Sequence, residues 1–144
     1  MYKKIVVGAD DSPTAAVAVE TALSLAKLCG AELHIVTAYK PERARPPREH
    51  GLPEEIRYSL SSHPADELLT RLAELARASS LDPVVHAANG QAAEALTGVA
   101  EREGADLIVV GNKGMKGARR VLGSVPNDVA HHAPCSVMIV DTTS

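Results

Sequence analysis

Aromatic residues are nearly absent from this chain: Tyr2, Tyr39 and Tyr58 stand alone, with no Trp and no Phe. A core must therefore be packed from Val, Leu, Ile and Ala, and a bound base finds few rings to stack on. Cysteine is equally scarce. Cys29 and Cys135 are far apart and match no metal or redox spacing, which excludes a disulfide framework and leaves buried free thiols as the expectation. No apolar run approaches the roughly 18 residues of a membrane-spanning helix. A cationic surplus is missing too. The formal net charge is −3, which argues against general nucleic-acid binding, since that needs a basic face to displace counterions. The 10 Gly show no collagen-like period.

What remains is a chain of 144 residues, 45% hydrophobic and 23% charged. That length suits one domain, spanning 1–144, which buries roughly 70% of its unfolded surface. Met1 to Lys4 lead straight into Ile5-Val6-Val7-Gly8-Ala9 and then Asp10-Asp11. An export signal needs a longer apolar stretch and a small-residue cleavage site, so this reads as a buried strand and a cytoplasmic location is expected.

Short β-branched runs alternate with helical patterns, the signature of βαβ units and a parallel sheet. Strands are predicted at Lys4–Ala9, Glu32–Tyr39, Pro83–Ala87, Asp106–Gly111 and Ser136–Asp141. Their near-continuous apolar character implies cover on both faces. A helix is predicted over Pro13–Cys29, with Ala15, Val19, Ala22 and Ala26 on one stripe and Gly30 just past its end. A second runs from about Ala65 to Ser79, with Leu68, Leu72, Leu75 and Ala76 inward. The third, Gln91 to Glu103, buries Ala92, Ala95, Leu96 and Val99 and ends at Gly104. A short last helix starts after Ser124 and stops before Pro134. No internal repeat is present.

One segment breaks the alternation. Residues 40–57 hold Pro41, Pro46, Pro47 and Pro53 among several Arg and Glu, and read as a solvated, mobile loop after the second strand. Loops at that end of a strand either cover a site or merely vary.

In open parallel sheets, ligands bind beyond the carboxyl ends of the strands, near the point where strand order reverses. Two stretches fall there. Gly8 to Pro13 follows the first strand. Gly111-Asn112-Lys113-Gly114-Met115-Lys116-Gly117 follows the fourth and runs on to Gly123-Ser124-Val125-Pro126. Glycines three apart let backbone amides approach an anion closely. Lys113, Lys116, Arg119 and Arg120 add positive charge, and Ser124 sits at the N-cap position of the last helix, whose free amides face the same place. Together these describe a phosphate cradle. Hydrogen bonds to a charged group are each worth on the order of 1.5–3 kcal/mol, so three or four hold a phosphate chain.

Other nucleotide signatures are missing. No G-x-x-x-x-G-K-[ST] occurs, and the first βα turn carries Asp10 and Asp11 where the dinucleotide fingerprint has glycines. An acidic pair ending the first strand also suits a phospho-receiver domain. That reading fails, because the third strand ends Val85-His86-Ala87-Ala88 without an Asp and the fifth is followed by no Lys. Asp10 keeps two roles: accepting a hydrogen bond from a base or ribose, or ordering metal-bound water. Ser12 and Pro13 form a helix start. A flavin is disfavoured, since only Tyr39 could flank its ring. His131 and His132 point about 100° apart on a helix and suit its C-terminal dipole better than a metal. His34, His50, His63 and His86 form no ligand or acid-paired pattern, so no metal site is assigned.

The run Val6 to Ser12, the entry Gly90-Gln91-Ala92, Ala105 to Gly111, and Gly123 through Val137 resemble the universal stress protein family, over nearly the whole chain except the loop at 40–57. The resemblance implies a doubly wound α/β fold with a five-stranded parallel sheet in the order 3-2-1-4-5, helices on both faces, and a homodimer. It also implies ATP binding through a G-x-x-G-(nine residues)-G-[S/T] motif. Carried over, Gly111, Gly114, Gly123 and Ser124 would hold ribose and phosphates, and Val125 would add a backbone amide. Asp10 and Ala38 would meet adenine and ribose.

Two departures stand out. Only Met115 to Leu122, eight residues, separate Gly114 from Gly123. A one-residue deletion shifts a loop by up to about 3.5 Å. Asp11 also replaces the glycine usual after the first Asp, and a second carboxylate would repel a triphosphate unless Mg²⁺ lies between them. The reading is thus an adenine-nucleotide-binding stress regulator, with ATP, AMP or a cyclic nucleotide as ligand and Mg²⁺ as companion. Binding orders a surface that an unknown protein partner reads. Two alternatives stand beside it: a dimeric interaction module with an empty pocket, and a slow ATPase in which Asp10 orients a metal or water. The apolar last strand, Val137 to Val140, offers an edge for the dimer.

Overall fold

The structure, a computed structural model, describes residues 1–10, 13–39, 54–112 and 125–142. Its strands are β1 (Lys4–Gly8), β2 (Glu32–Tyr39), β3 (Val84–Asn89), β4 (Leu107–Gly111) and β5 (Ser136–Val140). Between them run α1 (Pro13–Cys29), α2 (Glu54–Ala78), α3 (Ala92–Glu103) and α4 (Val125–His132). All strand pairs are parallel, and the sheet order is β3-β2-β1-β4-β5.

Alternation along the inner strands builds two cores. Ile5, Val7, Leu33, Ile35, Leu107 and Val109 point to one face, where they meet Val19, Ala22 and Ala26 of α1 and Leu68, Leu69 and Leu72 of α2. Val6, Val36, Ile108 and Val110 point to the other, against Leu96, Val99 and Ala100 of α3 and Val129 of α4. A strand buried on both sides must be apolar at every position, which is why β1 and β4 read as unbroken hydrophobic runs. The outer strands differ from that expectation. Val84 and Val85 of β3 are 39% and 42% exposed, and Ile139 of β5 is 39% exposed, because an edge strand has neighbours on one side only.

The helix ends follow local chemistry. Gly30 and Gly104 take positive φ, 67° and 66°, and the Gly104 amide turns back to the Glu101 carbonyl at 3.3 Å. The second helix departs from the prediction. It starts at Glu54, so residues 54–57 are helical, and residues 40–53 lie outside the described residues. The predicted start at Ala65 followed the apolar stripe of Leu68, Leu72 and Ala76, which begins only there, after the Pro-rich stretch read as a loop to residue 57. The buried stripe of this helix is also turned: Leu69 and Ala73 are inside, whereas Leu75 is exposed. Cys29 and Cys135 are free and half-buried at the margins of the two cores, not fully buried. Burial, with the nearby Asp106 charge, pushes the Cys135 thiol up and keeps it protonated.

Asp106 closes the amino end of the sheet. Its carboxylate accepts from the Lys3 amide at 2.9 Å and the Lys4 amide at 3.1 Å, and its own amide donates to the Lys4 carbonyl at 3.0 Å. No helix among the described residues is long and apolar enough to cross a membrane.

Candidate functional site

The chain leaves β1 towards β2 on one side and returns to β4 on the other, so strand order reverses between β1 and β4. A crevice beyond their carboxyl ends is the default ligand position in such a sheet. The Ala9 amide donates to the Val36 carbonyl at 2.9 Å, which extends the β1–β2 ladder past Gly8. With Gly8 paired to Val36, that register brings the exposed Asp10 level with Ala38, which is half-buried and pairs with Ala88 on β3. Gly111 ends β4 on the other side of the reversal, opposite Val140.

At two of these positions an added side chain would crowd a neighbour. A Cβ on Gly8 would lie 2.9 Å from Leu96 Cδ1, and one on Gly111 would lie 3.1 Å from Thr142 Cγ2. The missing side chains let α3 and the end of β5 close on the strand ends. The next residue, Asn112, clamps that end. Its Oδ1 accepts from the Thr142 amide at 3.0 Å and the Thr142 hydroxyl at 2.8 Å, and its Nδ2 donates to Asp141 Oδ1 at 3.0 Å. The Asn112 amide donates to the Val140 carbonyl at 2.9 Å. The glycine-rich stretch therefore departs from a point fixed by four hydrogen bonds.

Helix amino ends converge on the same end of the sheet, as parallel βα topology requires. Gly90, at φ 121°, turns the chain from β3 into α3, and its amide donates to the Tyr39 carbonyl at 2.9 Å. Gln91 occupies the N-cap with no side-chain cap bond, which leaves first-turn amides of α3 for solvent or a ligand. Val125 opens α4, whose second residue, Pro126, has no amide hydrogen.

Of the residues named from the sequence, the structure brings Asp10, Ala38 and Gly111 to one end of the sheet and starts α4 at Val125 on that end. Gly114, Gly123 and Ser124, together with Lys113, Lys116, Arg119, Arg120, Asp11 and Ser12, lie outside the described residues. His132 behaves as expected for a helix C-terminus, with Nδ1 2.9 Å from the Asp128 carbonyl.

Sequence reasoning missed two constellations. Asn112 with Asp141 and Thr142 was hidden because its partners lie about thirty residues away. The second, at the amino end of the strands, contradicts the expectation that the histidines form no acid-paired group: His34 Nε2 is 3.0 Å from Glu32 Oε1, and His34 Nδ1 is 2.9 Å from His86 Nε2. The Glu-x-His spacing on a predicted strand, which puts both side chains on one face, was the available signal.

Comparison with known proteins places these features in a family. The chain matches the universal stress protein family over residues 1–141. It is 36% identical over 148 aligned residues to the universal stress protein Rv1636 of Mycobacterium tuberculosis, covering 99% of this chain and 98% of that protein. Universal stress protein YxiE of Bacillus subtilis is 31% identical over 148 residues, covering 97% and 99%. A universal stress protein crystallised in complex with cAMP is similar in structure, with a TM-score of 0.81 and 32% identity, covering 99% of this chain and 98% of that one.

Proposed function

The chain belongs to the universal stress protein family, and we propose that within it this protein is a nucleotide-responsive regulator that binds an adenine nucleotide at the carboxyl ends of β1, β2 and β4. The observation that carries the reading is the similar protein in complex with cAMP, at 32% identity over 99% of this chain. The convergence of Asp10, Ala38, Gly111 and two helix amino ends on that end of the sheet supports it. Asp10 accepts from the base or ribose, Ala38 lies against the ribose, and Gly111, Gly114, Gly123, Ser124 and the Val125 amide hold the phosphates. ATP is the ligand that the glycine motif suits, with Mg²⁺ set between its phosphates and Asp10 and Asp11.

A cyclic or monophosphate ligand is the second reading. The motif is one residue short between Gly114 and Gly123, and one phosphate asks for fewer loop contacts than three. In either case the protein works as one cytoplasmic domain, paired with its own copy through β5 and read by a protein partner. Gly114→Val tests the assignment. It should abolish nucleotide binding and leave the thermal melt intact; unchanged affinity in that variant would reject the site.

A further inference from the structure

We propose that His34, His86 and Glu103 form a binding site for a divalent transition-metal ion, zinc foremost, at the end of the sheet opposite the nucleotide. One ligand atom from each residue lies within 4.8 Å of the other two. His34 sits on β2, His86 on β3, and Glu103 in the last turn of α3. His34 is four residues from Ala38 along β2, about 13 Å at the usual strand rise, so this ion is not the Mg²⁺ that would accompany a nucleotide.

The local order of events favours ligation. Glu32 and His34 alternate onto the same face of β2, and Glu32 Oε1 sits 3.0 Å from His34 Nε2. A carboxylate there holds the proton on Nε2 and leaves the Nδ1 lone pair facing His86 Nε2, 2.9 Å away. A carboxylate on the far nitrogen of a ligating imidazole fixes ring orientation and raises its basicity. The two rings stack at 5.2 Å between centroids and 19° between planes. Two nitrogens on a tetrahedral zinc stand roughly 3.3 Å apart, so the rings need to part by only about half an ångström. In the metal-free protein the His86 proton occupies the position the ion would take.

Donor chemistry selects the ion. Two imidazole nitrogens and one carboxylate suit zinc, cobalt, nickel or copper, whereas magnesium and calcium prefer all-oxygen sites. His34 is 1% exposed and cannot be approached from its own side. His86 and Glu103 are half-buried and border the edge strand, which supplies the way in and leaves a position for water. Two cations lie close: Lys4 Nζ donates to the Glu103 carbonyl at 2.9 Å, and Arg102 is near enough to disfavour a charged His86. They offset the charges of Glu32 and Glu103.

The test is zinc titration of the chelator-treated, nucleotide-free protein against a chromogenic competitor. One ion per chain, bound at micromolar zinc or below, is the expected result. His86→Ala and Glu103→Gln should each weaken binding by about tenfold or more, and Glu32→Gln by about tenfold. His131→Ala and His132→Ala should leave it unchanged. Cobalt should give the strong visible absorption of a tetrahedral site, lost in His86→Ala. Thermal melts in EDTA establish that each variant is folded, and Glu103→Gln keeps the side-chain shape if His86→Ala does not fold. Wild-type zinc affinity in both variants, or no saturable binding at submillimolar zinc, would overturn the proposal.

Discussion

Asn112 Oδ1 holds Thr142 twice, accepting from its amide at 3.0 Å and from its hydroxyl at 2.8 Å. The pair ties the last residues of the sheet to the first residue after β4, where the glycine-rich stretch begins. Thr142 is buried, so removing its acceptor strands two donors. Asn112→Ala should cost about 1–3 kcal/mol in denaturant unfolding. It should also lower nucleotide affinity several-fold, since the loop then starts from an unfixed point. Thr142→Val removes only the hydroxyl donor and should fall between wild type and Asn112→Ala on both measures.

Gly8 packs directly under Leu96. Its absent Cβ would stand 2.9 Å from Leu96 Cδ1, and Leu96 is itself buried in the core between the sheet and α3. Gly8→Ala is therefore expected to destabilise by about 1–3 kcal/mol through overpacking. Leu96→Ala opens the space, so the double variant should be more stable than the sum of the two single losses predicts. Simple additivity in a double-mutant cycle would contradict this contact.

Stability at low pH should depend on Asp106. Burial pulls its carboxyl upward, but hydrogen bonds from the Lys3 and Lys4 amides and its own amide, with the N-terminal charge, outweigh it and hold it below 3.8. A carboxyl lower in the folded than in the unfolded state stabilises above the unfolded value. That contribution is lost as pH falls through the folded value. Melting temperature should thus decline below about pH 4 more steeply in wild type than in Asp106→Asn. At pH 7, Asp106→Ala should cost about 1 kcal/mol, because the carboxylate is partly solvated.

The edge strand β5 presents Ile139 to solvent, and among the described residues no strand pairs with its outer row of backbone groups. A second copy of the chain would cover both. Ile139→Lys should shift the protein towards monomer in sedimentation at tens of micromolar, with little change in its melt when diluted. A wild-type monomer at that concentration would contradict pairing through β5.

Much of this architecture was readable in the residues, for physical reasons that also mark where reading stops. Val6-Val7 and Ile108-Val109 are apolar on both faces because they lie mid-sheet, so their strands were plain. Gly30 and Gly104 end helices through backbone angles that glycine favours. Position within the sheet was not so local. The exposure of Val85 follows from β3 being an edge, which no window around Val85 contains. The start of α2 was missed because the apolar stripe that marks a helix begins only near Ala65, while α2 itself begins at Glu54. The Asn112–Thr142 clamp and the His34–His86 pair depend on strand register across the sheet, and register appears only once the chain is folded.

The account stands or falls on nucleotide binding at the carboxyl end of the sheet. Calorimetric titration of the nucleotide-stripped protein with ATP and with cAMP, each with and without Mg²⁺, tests it most directly. The account predicts one saturable site per chain at micromolar ligand, with ATP weakened when Mg²⁺ is withheld. Thermal stabilisation should follow, about 2.7 kcal/mol at a hundredfold excess over Kd. Tighter cAMP than ATP would favour the single-phosphate reading. No heat and no stabilisation with either nucleotide at millimolar concentration would contradict it.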